Sequence, residues 1–575
     1  MNVSLSLKAT LALLFGAILM LAGCGEDKTR FMVAAANKHA AQAAADILKK
    51  GGSAIDAAIT TQLVLTLVEP QSSGIGGGAY LMHWDQGMRK ISAYDGRETA
   101  PRAASRKLFL RADGQPMKFF EAVVGGRAVG APGVIKMLWQ AHQAHGKLPW
   151  RDLFQPAIAL AEKGFAVSPM LNRRIRQHAN YLQHPTAQSY FFKPDAKDAT
   201  KSIPLPVGHI LKNPAYARTL RVIAKQGPDG FYKGEVAEAI IDTVRSHSNA
   251  GLLTLDDLAN YKAISRTAIC APYRAYKICG MPPSTSGGIT VLQILKMLEP
   301  FSMDKFKPGS VMAVHLISEA TKLAYADRNL YIGDTDFVKV PVQGLIDARY
   351  LKNRARLIHP QIASTTPLPG TPPGAPEKKQ AIGKTLSQPA TTHFSIVDGH
   401  GNAVSMTSSV ENAFGAHIMA GGFILNNQLT DFSFRPNRHD GTPIANAVAG
   451  GKRPRSSMSP TLVFDKTGNL FATLGSPGGK TIITFVAKTL VALLDWKMDM
   501  QSAINLPHHV SPSGPIALEY DTPLLALSAK LSALGHGVSI RRLISGLHGI
   551  RVTKDGQLDG GADPRREGVV ISDAF

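Results

Sequence analysis

The familiar enzyme signatures are missing from this chain, which holds no HExxH, no GxSxG and no CxxC. Three other segments carry residue types that could do chemistry. GSPGGKT, from Gly475 to Thr481, looks like a phosphate loop, but a Walker loop places a glycine five residues before Gly479 and this chain has Leu474 there. The spacing fails by one, and ATP binding is not expected. The Gly478-Gly479 pair keeps a second meaning, because two glycine amides between a strand and a helix N-terminus can approach developing negative charge, as an oxyanion hole requires. An ordinary tight turn would use the same residues. Gly74-x-Gly76-x-x-Ala79 superficially matches a dinucleotide fingerprint. That motif needs a strand before it and a helix after it; here a helix ends at Pro70 and the strand-like AYLMHW follows, so nucleotide binding is discarded. His315 and Glu319, four apart on a helix, could face one metal ion; with no second pair nearby, a helix-surface contact is expected and no metal.

The elements around these segments mix helices and strands. HAAQAAADILKK reads as a helix stopped by Gly51-Gly52, and Ser53-Ala54-Ile55-Asp56 reads as a capping box opening a second helix. WRDLFQPAIALAEKG and VMAVHLISEATKLAYADRNLYIGD are helical stretches of the middle of the chain. From Ser364 to Pro389 the sequence turns rich in Pro, Gly, Ser and Thr, which cannot pack a core and reads as a flexible connector. TTHFSIVDGHGNAVSMTSSV, beginning at Thr391, follows as two alternating strands around a Gly-His-Gly-Asn turn. NLFATLGSPGGKTIITFVAKTLVALLDW is a strand, a glycine turn and a long apolar helix, so an α/β layered fold is expected rather than a bundle.

Ala390-Thr391-Thr392-His393-Phe394, behind the Pro-rich connector, resembles the processing site of gamma-glutamyltransferases, in which the first Thr becomes a new N-terminus. Further segments are similar to that family in order along nearly the whole chain: SSGIGGGAY, GRETAP, GAPG at 130–133, LPW with QPAIALAEKGF, MPPSTSGGIT, LAYADR, LNNQLTDFS, KRPRSSMSPT, GSPGG and GGADPRREG. The resemblance implies a four-layer αββα sandwich of the N-terminal-nucleophile hydrolase type. It would be built by a large subunit (24–390, with the connector 364–389) and a small catalytic subunit (391–575), made by self-cleavage between Ala390 and Thr391 and held as a heterodimer. The chemistry is coherent. A Thr hydroxyl is a poor nucleophile, but a free α-amine on the same residue, with a pKa of roughly 8, can take its proton. In the precursor the Thr391 hydroxyl would attack the Ala390 carbonyl, giving an ester that water opens.

The same resemblance assigns the other roles. Arg97 would bind the α-carboxylate of the gamma-glutamyl group, a bidentate task suited to guanidinium. Ser456 and Ser457 would support that carboxylate, Gln428 and Asp431 would hold the α-ammonium, and Gly478 and Gly479 would supply the oxyanion hole. The implied donor is glutathione or a similar compound and the acceptor water, an amino acid or a peptide, with no cofactor and no metal. Two positions depart from the family pattern. Ser409 stands where a threonine commonly assists Thr391, and Glu411 where an asparagine commonly lies near the substrate amine. The stretch from Asp431 to Ser456 is also shorter than in many relatives, so the tyrosine-bearing lid is expected to be missing, which bears on donor specificity more than on mechanism. A cephalosporin acylase accepting glutaryl groups is the alternative within the superfamily, and an inactive binding lipoprotein the alternative outside it. Asp431 speaks against the first, since a carboxylate facing no cation is poorly compensated. Intact Thr391, Arg97 and Gly478-Gly479 speak against the second.

Composition adds limits rather than a function. The chain has 575 residues and a formal charge of +22, but the basic residues are scattered and no nucleic-acid partner is expected. Lys8 precedes an apolar run from Ala9 to Ala22, short for a membrane span, that stops at Leu21-Ala22-Gly23-Cys24 and resembles a bacterial lipobox. Residues 1–23 are therefore expected to be a lipoprotein signal peptide, with Cys24 acylated and anchored to the membrane and Gly25 favouring the outer membrane, facing the periplasm. If Arg274-Ala275 form a hairpin turn, Cys270 lies opposite Cys279; a disulfide and two separate buried thiols both fit that register.

Overall fold

The computed structural model describes residues 31–198, 200–383 and 390–573. The leader, Cys24 and residues 384–389 of the connector lie outside the described residues. The two alternating runs after Thr391 form β-strands at Thr392–Val397 and Ala403–Ser409, paired antiparallel across the Gly-His-Gly-Asn turn. They are central strands of a seven-stranded sheet. Numbering the strands of the two main sheets in chain order gives β1 Met32–Ala35, β2 Gly78–Asp85, β3 Lys90–Gly96, β4 Ile264–Arg266, β5 Ile269–Tyr273, β6 Tyr276–Gly280, β7 Thr392–Val397, β8 Ala403–Ser409, β9 Thr461–Phe464, β10 Leu470–Gly475, β11 His548–Val552, β12 Leu558–Ala562 and β13 Val569–Ser572. The first sheet runs β13-β1-β7-β8-β2-β3-β4 and the second β12-β11-β10-β9-β6-β5. The sheets face each other, with β7 and β8 lying over β10 and β11.

Helices cover both outer faces. On the first sheet lie α1 (Lys38–Lys49) and α2 (Ala54–Val68). The Ser53 hydroxyl accepts the Asp56 N–H at 3.2 Å and the Asp56 carboxylate accepts the Ser53 N–H at 2.9 Å, the capping box the sequence predicts. Every residue of α2 is buried, as its all-round apolar character requires of a helix between layers. On the second sheet α3 (Gly287–Leu298) packs with α4 (Val311–Tyr331) and α5 (Ile482–Leu494). The architecture is thus the four-layer αββα sandwich of N-terminal-nucleophile hydrolases. Among the described residues no helix is long and apolar enough to cross a membrane.

Chain segments from either side of the Ala390–Thr391 junction interleave in both sheets. Strand β1 pairs with β7 on one side and β13 on the other, β2 pairs with β8, and β6 pairs with β9. A cut at the junction therefore leaves two fragments joined by main-chain ladders and a shared core. The connector residues 364–383 contain no helix or strand, as their composition predicts, but they are not a loose chain. The Ser364 and Gly370 amides donate to Glu319 and Asp327 on α4, at 2.9 and 2.8 Å, and the Ala381 and Gly383 amides donate to the Pro443 and Asn329 carbonyls, at 2.9 and 3.0 Å.

Two further expectations meet the structure here. Cys270 and Cys279 face each other across β5 and β6 and are joined as a disulfide. The surface reading of His315 and Glu319 is wrong: both are buried, with His536 brought beside them from the C-terminal part of the chain. Periodicity on α4 could not reveal this, because α4 is buried along most of its length. The three side chains could surround a metal ion, and the Lys322 ammonium bonds two of them. It donates to Glu319 at 2.8 Å, to the Ser364 carbonyl at 3.1 Å and to His536 at 3.2 Å. His315 contacts His536 at 2.7 Å and the His359 carbonyl at 2.8 Å. Burial, Lys322 and His315 push the His536 pKa down to about 3, so His536 is neutral and accepts from the lysine.

Candidate active site

Thr391 stands one residue before β7 and Ser409 ends β8, so the Thr392–Ser408 pairing carries these two hydroxyls to within 3.2 Å of each other. Both also converge on the carbonyl of the preceding residue: the Thr391 hydroxyl donates to the Ala390 oxygen at 2.6 Å and the Ser409 hydroxyl to the same oxygen at 2.9 Å. The Glu411 N–H donates to Ser409 at 2.9 Å, which orients that hydroxyl toward Ala390. The Arg566 guanidinium donates to the Thr391 carbonyl at 2.8 Å, and the Thr392 hydroxyl donates to Glu69 at 3.2 Å. Burial raises the Glu69 carboxyl to about 7 against the lowering effect of Arg566. The junction is thereby clamped on both sides of the nucleophile.

The SSGIGGGAY segment now has a physical explanation. A Cβ on Gly77 would lie 2.2 Å from the Ser409 carbonyl oxygen, so the glycine run lets the backbone press against the end of β8 rather than against a nucleotide. Gly478, at φ 139°, sits between β10 and a short 3₁₀ turn, Gly479–Thr481, that leads into α5. A side chain there would be strained and would meet Phe485 at 2.8 Å. Gly479 lines the cavity described next; Gly478 stands immediately behind it.

A cavity of about 440 Å³ opens on Thr391 and gathers Arg97, Ser409, Glu411, Gln428, Asp431, Ser456, Ser457 and Gly479. Apart from Gly478, every residue assigned above to catalysis or substrate binding is in its wall, and Ala390 adjoins it through Thr391. The guanidinium of Arg97 donates to Asp431 at 2.5 Å and to the Pro454 carbonyl at 3.1 Å. Burial acts to lower the Arg97 pKa, but the Asp431 and Glu98 carboxylates outweigh it and the net shift is upward. Gln428 donates to the same Asp431 oxygen at 3.0 Å. Arg97 and Asp431, the two groups expected to hold opposite charges of one substrate, therefore hold each other. Glu98 lies 3.7 Å from Arg97, yet its pKa is raised to about 8. Burial prevails there because Asp431 already takes the guanidinium at closer range.

Glu411 is buried, held at φ 79°, and faces the cavity with its carboxylate accepting the Asn427 side-chain amide at 2.7 Å. It does not turn out to solvent. The serines divide their work: Ser456 accepts the Met458 N–H at 3.1 Å, and Ser457 accepts from Arg328 at 2.8 Å. Arg328 and Tyr325, from the LAYADR segment, and Lys480, from GSPGGKT, also line the cavity and received no role from the sequence. Arg566, in GGADPRREG, is likewise new to the site. Their motifs were visible, but a helix of mixed polarity and a loop end do not say which way a side chain points.

An uncut threonine with its hydroxyl on the preceding carbonyl, a partner hydroxyl beside it and an αββα frame define a self-processing N-terminal-nucleophile hydrolase. The sequence profile of the family described as "Gamma-glutamyltranspeptidase" matches residues 40–572, and the chain belongs to that family. It is 38% identical over 548 residues to the glutathione hydrolase proenzyme of Escherichia coli, covering 93% of this chain and 90% of that one. It is 35% identical over 554 residues to the acylase ACY 1 proenzyme of a Pseudomonas species (strain SE83), covering 95% and 94%. Among solved structures it is similar to a cephalosporin acylase from Bacillus halodurans, at a TM-score of 0.81 and 28% identity over 95% of this chain and 96% of that one.

Proposed function

We propose that this protein is a self-cleaving gamma-glutamyl hydrolase and transferase acting on glutathione and related compounds through a gamma-glutamyl ester of Thr391. The observation that carries the reading is the pair of hydroxyls on the Ala390 carbonyl in the same cavity as the Arg97–Asp431 pair. In maturation the Thr391 oxygen bonds to the Ala390 carbonyl carbon. Its proton passes to Ser409, whose own proton goes to the carbonyl oxygen. On collapse the proton on that oxygen passes to the nitrogen as the Ala390–Thr391 C–N bond breaks, the nitrogen leaves as the Thr391 amine, and water opens the ester. In turnover the freed amine takes the hydroxyl proton and the oxygen attacks the gamma-carbonyl of the donor, with the oxyanion assigned to the Gly478 and Gly479 amides; collapse breaks the gamma-amide C–N bond, the Thr391 ammonium gives its proton to the departing amine, and water or an acceptor amine opens the ester.

Donor recognition is an exchange of ion pairs. The α-carboxylate takes Arg97 and the α-ammonium takes Asp431, so one internal pair is replaced by two pairs to substrate. This reshapes the case against a glutaryl acylase, the second reading that the acylase relatives favour. Asp431 is compensated by Arg97. A glutaryl donor, however, would put two carboxylates on Arg97 and offer Asp431 nothing in return. Turnover of a gamma-glutamyl anilide beside a glutaryl anilide separates the two readings: equal or greater glutaryl turnover would establish the acylase. Anchoring to the outer membrane through acylated Cys24, facing the periplasm, belongs to the same proposal and rests on the Leu-Ala-Gly-Cys run.

A further inference from the structure

Lys480 directly follows Gly479 and lines the same cavity as Thr391. Its peptide is held in place by the Tyr325 hydroxyl, which donates to the Lys480 carbonyl, while the side chain remains exposed. The charges acting on its ammonium are both positive: after partial burial, Arg541 and Arg328 depress its pKa.

The charged side chains that line the cavity are Arg97, Arg328 and Lys480 against Glu411 and Asp431. A gamma-glutamyl group carries one ammonium and one carboxylate, so binding it leaves this positive excess unchanged. Arg97 is paired with Asp431 at 2.5 Å, and Arg328 is engaged by Ser286 and Ser457, both at 2.8 Å. Arg328 is thus fixed by hydroxyls, and Lys480, whose side chain is exposed on the cavity wall, is the cation placed to reach a ligand. Consecutive Cα atoms are about 3.8 Å apart, which places Lys480 beside the Gly479 amide, at the end where the acyl carbonyl and departing amine must sit.

We propose that Lys480 forms a subsite for a second carboxylate, one carried by the leaving group of the donor and, in transfer, by the acceptor. The pocket then selects gamma-glutamyl amino acids and peptides over gamma-glutamyl amines and anilides. By microscopic reversibility the same contact favours acceptors with a free carboxylate. The inference rests on the gamma-glutamyl reading of the site and extends it to the other side of the scissile bond.

The test compares specificity constants of the processed enzyme on gamma-glutamylglycylglycine and on its C-terminal amide, two donors that differ only in that charge. The acid is expected to be preferred about fivefold, the size of a partly exposed charge contact, and the preference should shrink with added salt. Lys480→Gln should bring the ratio to about one, and Lys480→Arg should keep it. A wild-type ratio of one, or a Lys480→Gln enzyme that loses equally on both donors, would overturn the proposal and assign Lys480 to the oxyanion loop or the fold. If neither donor is turned over, the gamma-glutamyl reading itself fails. The same acid and amide comparison on glutarylglycylglycine then tests Lys480 independently.

Discussion

Removing the Ser409 hydroxyl should stall maturation. In the uncut chain the Ala390 oxygen receives two hydroxyl contacts, from Thr391 at 2.6 Å and from Ser409 at 2.9 Å. Once the Thr391 oxygen has become the attacking atom, its proton no longer serves that carbonyl, and Ser409 is the donor left to the developing charge. Loss of one such donor costs about 3 kcal/mol of barrier, a rate lower by roughly 10²- to 10³-fold. Ser409→Ala should therefore accumulate as the uncut precursor, and Ser409→Thr, which restores the hydroxyl, should process near the wild-type rate. The substitution also leaves the buried Glu411 N–H without the acceptor it has at 2.9 Å, a stability loss of about 1–3 kcal/mol, so thermal denaturation must accompany the kinetics. Intact mass spectrometry over a time course of purified precursor reads the cleavage. A folded Ser409→Ala protein that cleaves within about threefold of wild type would refute the hydroxyl relay.

Thr391→Ala should remain a single chain, whereas wild type should yield two associated fragments, the smaller beginning Thr-Thr-His-Phe; N-terminal sequencing checks this, and an uncut, soluble wild type would defeat the nucleophile assignment. Glu411→Gln should raise KM for a gamma-glutamyl anilide and improve relative turnover of the glutaryl anilide, because one of two carboxylates facing the substrate ammonium is gone; an unchanged ratio would make Glu411 a bystander. For Glu98, whose folded pKa of about 8 lies above its ordinary 4.5, the stability it contributes is full below pH 4.5 and declines as pH rises toward 8, since only the unfolded chain ionises in that window. Glu98→Gln should therefore gain in melting temperature over wild type as pH goes from 5 to 8, and a pH-independent difference would show that this carboxyl does not titrate abnormally. Cys24→Ser should abolish incorporation of labelled palmitate and release the protein from membranes; unchanged labelling would rule out acylation at that residue.

Local order was legible because it is dictated by neighbours in the chain. The capping box at Ser53 and Asp56, the alternation after Thr391 and the apolar run entering α5 each depend on a few consecutive residues. The expected junction came from resemblance: a threonine behind a Pro-rich stretch and at the head of a strand gains its meaning from the ordered family motifs around it. The hairpin register placed Cys270 opposite Cys279, but whether the sulfurs bond depends on how β5 and β6 sit in the sheet, and that came from the structure.

Long-range packing decided the rest. His315 and Glu319 read as surface residues because their third partner, His536, is 221 positions from His315 along the chain, and the Lys322 ammonium pairs with Glu319 inside the fold. The pairing of Arg97 with Asp431 spans 334 positions, and no sequence pattern states that two substrate-binding groups neutralise each other in the empty pocket. Lys480 was set aside with a failed Walker spacing, and only the folding of its turn against Tyr325 placed it in the cavity of Thr391. Sequence alone determined the mixed helices and strands through residue type and period, and pointed to the nucleophile, the four layers and the frame of the site through ordered motifs that resemble one family. Which charges meet, which remain over and toward what ligand they point was decided by the tertiary structure, because electrostatic balance in a buried pocket depends on distances between residues that the chain keeps hundreds of positions apart.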